Sequence, residues 1–314
     1  MKPSVYIQSN AKQLIGALVS EYALKRNSAA PENFEVCLIH AEDFPFLAAR
    51  EGQTYLRDGA SAVWRNDDLQ SFPPLRFAVP GLMDYRGRAL VIDPDVFAVG
   101  DVNELLACDM QHAAILARHA DDEDAPGGAP HWASSVMLLD CAKLKHWRVE
   151  EDFGCLFAFE RDYREWMWLR LEVAGAVAPL APVWNDFDHL TPATRMLHNT
   201  RRRTQPWKTG LAADFVTHGT SLSARAKQRL RRLRSALTGD QAPQGRYQPH
   251  PDPRQERFFF TLLVECMDRG IVTTELLKAE IARKHIRSDA FELAAAARRE
   301  PLSLASLSAT AELA

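Results

Sequence analysis

Residues Ala89 to Ile92 are four apolar side chains in a row, and Asp93-Pro94-Asp95 follows them directly. Such a run reads as a short buried strand, and Pro94 removes a backbone donor between the two carboxylates. Two anions cannot enter a core without partners, so the pair must stand at the strand's open end, facing water or a cation. Oxygen ligands of this kind suit Mg2+ or Mn2+, which keep coordination positions for the phosphate oxygens of a substrate. Taken alone, the same two residues also fit a plain turn in which Asp93 caps the next segment and Asp95 is solvated. The surrounding chain has to separate the two readings.

Val5 to Ile7 is a short strand, Gln8 to Ala11 a polar turn, and Leu14, Leu18 and Tyr22 share one face of a helix. Phe34 to His40 is the next strand. Strand, helix, strand, with a polar turn after the first strand, is how an open parallel α/β sheet begins, and such sheets take ligands beyond the carboxyl ends of their strands. Gln8, Ser9 and Asn10 are therefore candidate ligand contacts. A short helix is expected around Phe46 to Arg50. Pro73 and Pro74 open a helix running to about Tyr85, shortened or kinked at Pro80, and Asp101 caps another helical turn. Ala113 to Arg118 and Ser134 to Leu139 read as strands, and Cys141 to Arg148 as a helix. Phe159, Tyr163, Trp166, Arg170 and Val173 lie on one side of a further helix and form a core stripe. A polar loop from Pro182 to His189 carries Asp186 and Asp188. Met196 and Leu197 look like a strand end, and His198 follows them just ahead of Arg201, Arg202, Arg203 and Lys208.

At 314 residues the chain has room for one large core and a smaller appendage. The expected division is a sheet domain over 1–215, a helical C-terminal extension over 216–300 and a flexible tail over 301–314. In the extension Leu222, Ala226, Leu230, Leu233 and Leu237 mark one helical face, while basic residues from Arg225 to Arg234 fill the rest with no acid between them. Such a helix over 221–237 suits an anionic membrane surface or a phosphorylated acceptor, and equally a solvated cationic face. The acidic stretch 121–128 reads as a loop, either a lid or a solvated linker.

A formal net charge of −3 excludes generic nucleic-acid binding, which needs a basic balance. The five cysteines lack CxxC spacing and several lie in apolar runs, as expected of buried free thiols in a reducing compartment. The first residues lack the apolar core of a signal peptide, and no run approaches membrane-spanning length. The expected location is cytoplasmic, peripheral to the inner face of a membrane if the basic helix docks there.

The strand ending in Asp93-Pro94-Asp95, the later apolar strand Ser134 to Leu139 with Asp140, and the segment from His198 to Pro206-Trp207 stand in one order. That order resembles nucleotide-sugar glycosyltransferases of the GT-A fold, and in particular glycosyltransferase family 8, the glycogenin and lipopolysaccharide galactosyltransferase group. The resemblance covers about residues 4 to 210. It implies an α/β architecture: a mixed, mostly parallel, Rossmann-like sheet flanked by helices. It also implies a metal-dependent enzyme that moves a hexose from a UDP-sugar, with retention of configuration, to a glycan, a lipid-linked acceptor or another surface polysaccharide.

By that resemblance, Asp93, Asp95 and His198 hold Mn2+ or Mg2+. Arg76, on the helix before the strand, contacts the nucleotide, and Lys208 or one of Arg201 to Arg203 supplies the cation that closes over the leaving group. Breaking the bond from a sugar's anomeric carbon to a nucleoside diphosphate leaves negative charge on the diphosphate, which is why cations and a metal are needed there. Three departures stand out. Ala133-Ser134-Ser135 replaces the family's Asn-Ser-Gly or Asn-Ala-Gly. Arg201 and Gln205 stand where the family has Gly and Lys, with one residue more before Pro206-Trp207. The Asp-Gln-Asp segment that the family places near the anomeric carbon has no clear counterpart; Asp162, Asp186 and Asp188 are the carboxylates available for its role. Two other classes compete: a non-catalytic nucleotide-sugar or carbohydrate-binding module, and a phosphatase in which Asp93 is the nucleophile. The phosphatase signature needs Thr or Val where this chain has Phe97.

Overall fold

The computed structural model describes residues 2–69, 71–120, 130–215 and 245–303. In chain order its strands are β1 (Ser4–Ser9), β2 (Glu35–His40), β3 (Thr54–Arg57), β4 (Ala60–Val63), β5 (Arg88–Ile92) and β6 (Val96–Ala98). They continue with β7 (Ile115–Ala120), β8 (His131–Asp140), β9 (Val177–Pro179), β10 (Asp186–Phe187) and β11 (Met196–His198). The helices that matter below are α1 (Leu14–Arg26), α2 (Val149–Phe157), α3 (Tyr163–Met167), α4 (Pro253–Asp268), α5 (Thr274–Ala282) and α6 (Ala290–Arg299).

One six-stranded sheet, in the order β2-β1-β5-β8-β7-β9, forms the centre. Only β8 runs against the others, pairing antiparallel with both β5 and β7, so the sheet is mixed and mostly parallel as expected. All of β1 and nearly all of β5 are buried, because helices cover both faces of such a sheet. Register then places the polar ends. Ile7 pairs with Ile92, so the next residues, Gln8 and Asp93, emerge side by side. In a second, three-stranded sheet His198 on β11 pairs with Val96 on β6, one residue past Asp95.

Helix α1 backs the turn between β5 and β6. A Cβ on Gly16 would come within 2.8 Å of the Pro94 carbonyl oxygen, so the approach requires glycine. Ser20 Oγ donates to the Val96 carbonyl at 2.6 Å one turn further on. The C-terminal helices belong to the same hydrophobic cluster as α1 and β5. Phe259 on α4 stacks on Trp207, with centroids 4.7 Å apart, and meets Phe97 edge-on at 5.6 Å. Tyr22 and Arg26 on α1 both reach the Glu265 carboxylate of α4.

Several local expectations change. Gln8 and Ser9 belong to β1, not to a turn after it. The segment expected as one helix from Pro73 is a tight 3-10 turn over Pro73–Ala78 and a single α turn over Val79–Leu82. Cys141 to Arg148 is not a helix; it makes a 3-10 turn over Cys141–Lys143, and α2 starts at Val149. The expected helix through Phe159 to Val173 shrinks to α3, because Phe159 and Leu169 take positive φ, and both Phe159 and Val173 are exposed. The hairpin of β3 and β4, turning at Asp58-Gly59, was not expected. Among the described cysteines all five are free, with Cys141 and Cys266 buried. Among the described residues no helix is long and apolar enough to cross a membrane. The acidic stretch 121–128, the basic helix 221–237 and the tail from 304 lie outside the described residues.

Candidate metal and nucleotide site

Asp93, Asp95 and His198 each offer one ligand atom, and the three atoms lie within 4.8 Å of one another. An octahedral ion with bonds near 2.1 Å sets neighbouring donors about 3 Å apart and opposite donors about 4.2 Å apart. The observed triangle needs only a small contraction to share one ion.

Each ligand is oriented by an amide. Gln205 Nε2 donates to Asp95 Oδ2 at 2.8 Å. Asp95 Oδ1 is buried with no hydrogen-bond partner and lies 3.5 Å from His198 Nε2. His198 Nδ1 is 2.8 Å from Asn185 Oδ1, so the other ring nitrogen faces Asp95. Asp93 accepts from Gln8 Nε2 and from Arg76, whose Nε lies 3.0 Å from Oδ1 and whose Nη2 reaches Oδ2. The Asp93 backbone N–H donates to the Ser135 carbonyl at 3.0 Å.

The electrostatics call for a cation. Burial pushes the Asp93 carboxyl up, although the Arg76 guanidinium pulls the other way. Burial opposes a charge on His198, yet the neighbouring Asp95, Asp93 and Asp188 carboxylates raise its pKa. With His198 neutral, as a metal ligand must be, one guanidinium stands against two carboxylates, and an excess negative charge is left at a buried point. An orphaned buried oxygen, a second carboxylate and an imidazole nitrogen form a donor set that a divalent ion such as Mn2+ fits.

The other residues singled out in the sequence fall into different places. Arg76 does not reach outward to a nucleotide: Nε and Nη2 go to Asp93, and Nη1 donates to Ser134 Oγ at 2.8 Å. Gln8 orients Asp93 from within the sheet. Ser9 Oγ donates to the Asn10 carbonyl, and Asn10 ties the chain to Leu69 and Ser71. Lys208 is fully buried and paired with Asp214 at 3.0 Å, and burial pushes its ammonium pKa down. It is not placed to close over a leaving group.

Asp162 is the N-cap of α3, and its oxygens accept from the backbone N–H of Gly59, Arg164 and Glu165, so it is not a free carboxylate. Asp186 is held by Thr194 Oγ1 at 2.7 Å. Asp188 is pinned by His250 and by the Arg201 N–H, and Gln255 Nε2 holds its carbonyl. The side chain of Arg201 is largely exposed, with Nε 3.9 Å from Asp188 Oδ2. Arg202 is accessible yet crowded by protein; burial and the charge of Arg57 lower its pKa, and it also feels Tyr163, Asp68 and Asp95. Sequence reasoning missed Asn185 altogether. Gln205 stood out only as a replaced lysine, and its contact with Asp95 shows why an amide sits there.

No family model matches the sequence, and no curated protein matches it. Solved structures similar to the chain include the glycosyltransferase GlyE of Streptococcus pneumoniae TIGR4, at 15% identity and a TM-score of 0.47. That match covers 66% of this chain and 56% of the other, so the chain spans little more than half the length of GlyE. The galactosyltransferase LgtC, in complex with donor and acceptor sugar analogs, matches at 10% identity and a TM-score of 0.40, over 65% of this chain and 89% of that one. Mouse xyloside xylosyltransferase 1 matches at 13% identity and a TM-score of 0.40, over 64% and 98%.

Proposed function

We propose that the chain is a metal-dependent, retaining glycosyltransferase that moves a hexose from a UDP-sugar to a glycan or lipid-linked acceptor in the cytoplasm. The observation that carries this reading is the convergence of Asp93, Asp95 and His198 at the carboxyl end of β5, with Asp95 Oδ1 left unpartnered. Ligands of an open α/β sheet bind at that end, and a turn of merely solvated carboxylates would not be buried and oriented by Gln8, Gln205 and Asn185.

In this reading Asp93, Asp95 and His198 hold the ion, which when bound stabilises negative charge on the departing diphosphate. Gln8 and Arg76 keep the Asp93 carboxylate turned inward. With Lys208 buried against Asp214, the cations left to face the leaving group are the exposed Arg201, Arg202 and Arg203, which follow His198. Losing a contact of that kind costs about 2.7–4 kcal/mol of barrier.

A second reading, a non-catalytic nucleotide-sugar-binding module, draws on one observation: Asp162, Asp186 and Asp188 are all engaged by protein groups. The phosphatase alternative fares worse, because its signature needs Thr or Val where the fully buried Phe97 stands in this chain. A thermal-shift screen of nucleotide sugars with and without Mn2+ tests the proposal, since a ligand that binds only the native state raises the melting temperature. Metal-dependent stabilisation by UDP-sugars together with slow donor hydrolysis is expected. Stabilisation without hydrolysis selects the binding module, and no metal-dependent shift overturns both.

A further inference from the structure

The contacts behind His198 define more than its position. Asn185 is fully buried, at the end of the turn over Pro182–Trp184. Its Oδ1 lies 2.8 Å from His198 Nδ1, its Nδ2 lies 3.0 Å from Ser135 Oγ, and its carbonyl accepts from Arg118 Nη1 at 2.8 Å. Ser135 in turn offers its own carbonyl to the Asp93 N–H. One buried amide therefore links the strand that carries His198 with the strand that supports Asp93.

A neutral imidazole bears its proton on one nitrogen only, and an ion can be bound only by the other. For Nε2, which faces Asp95 Oδ1, to present a lone pair, the proton must sit on Nδ1 and find an acceptor there. The Asn185 Oδ1 atom supplies it, and Ser135 Oγ, by accepting from Nδ2, turns the amide oxygen toward the ring. In the opposite amide orientation Nδ2 would face Nδ1, the ring proton would move to Nε2, and Nε2–H would point at Asp95 and close the site. Resting on the metal-site reading, we infer that Asn185 is a positioning residue: with Ser135 it holds His198 in the tautomer that can bind a divalent cation.

Such outer partners commonly change metal affinity 10- to 100-fold. The test is titration of the whole chain with Mn2+ alone, followed by calorimetry and by the electron paramagnetic resonance signal of free Mn2+, with melting in EDTA as the check on folding. Asn185→Leu is expected to weaken Mn2+ binding by about 10- to 100-fold. Asn185→Asp, which still accepts from Nδ1–H, is expected to stay within a few-fold of the parent. Ser135→Ala keeps the fold testable if the Leu variant does not fold, and is expected to weaken binding several-fold. Equal Mn2+ affinity in the folded Leu variant, or an Asp variant as weak as the Leu variant, overturns the role of Asn185. Unchanged affinity in Ser135→Ala overturns the orienting role of Ser135. A parent protein that fails to bind Mn2+ overturns the metal-site reading itself, an outcome distinct from the others.

Discussion

Gln205 donates its side-chain amide to Asp95 Oδ2 at 2.8 Å and so turns the other oxygen, Oδ1, toward His198. The amide fixes the carboxylate without neutralising it, which a lysine at that position would do. Asp95→Ala should abolish Mn2+-dependent UDP binding measured by calorimetry. Gln205→Ala should leave it detectable but about 10-fold weaker, in the range of outer-partner effects. Retained affinity in Asp95→Ala would remove that residue from the site.

Arg76 and Asp93 form a buried, doubly hydrogen-bonded pair. Removing one partner strands the other charge away from water, at about 3–5 kcal/mol. Arg76→Ala should therefore lower the denaturant midpoint strongly, and adding Asp93→Asn to it should recover much of the loss. If Arg76→Ala were as stable as the parent, the ion pair would not be a structural one.

Asp162 offers a contrast between a cap and a catalyst. Its carboxylate accepts three backbone N–H groups, and replacing such a cap by alanine costs about 1 kcal/mol. Asp162→Asn retains an acceptor and should leave both stability and sugar transfer nearly unchanged. A hundred-fold fall in transfer by the Asn variant, with unchanged melting, would return Asp162 to the catalytic candidates.

Glu265 joins α4 to Arg26 and Tyr22 of α1. Burial works against its charge, but the Arg26 and Tyr22 contacts hold its carboxyl below the usual glutamate range. Because the folded pKa is the lower one, this contribution is fully present above the unfolded value of about 4.3 and disappears as pH falls through the folded value. Partly open to solvent, the pair is worth about 1 kcal/mol at most. Glu265→Gln should therefore lower stability at pH 7 and converge with the parent once acid has protonated the folded carboxyl, as read in urea titrations at falling pH. A difference that stays constant as pH falls would contradict the linkage.

Gly16 faces the Pro94 carbonyl so closely that any side chain must displace one or the other. Gly16→Ala should cost about 1–3 kcal/mol, as overpacking does, and weaken Mn2+ binding by shifting the turn between Asp93 and Asp95. Unchanged metal affinity would show that the turn is not braced by α1.

The site was legible in the sequence where its signals are local. An apolar run ended by Asp93-Pro94-Asp95 reads as a strand opening on charge, and Met196-Leu197-His198 reads the same way; both are strands of the structure. The partners of those ligands are not local. Arg76 meets Asp93 from 17 residues away, and Gln205 meets Asp95 from 110, so register and packing decide contacts that no short motif encodes. Lys208 misled for the same reason: its charge suggested a ligand contact, while Asp214 and Tyr247 enclose it. The helical stripe through Phe159 and Val173 failed because positive φ at Phe159 and Leu169 ends the helix on both sides, and periodicity does not report this. The hairpin at Asp58-Gly59 did carry a readable signal, since both residues take positive φ and this dipeptide favours such turns.

Phe259 touches Phe97, two residues after Asp95, and Trp207, nine residues after His198. The helix that carries Phe259 thus serves as the rear wall against which both arms of the cluster are pressed. A protein ending before Asp252 would keep every ligand and still lose the anvil they are set against, so ion affinity would fall although no coordinating atom had been removed.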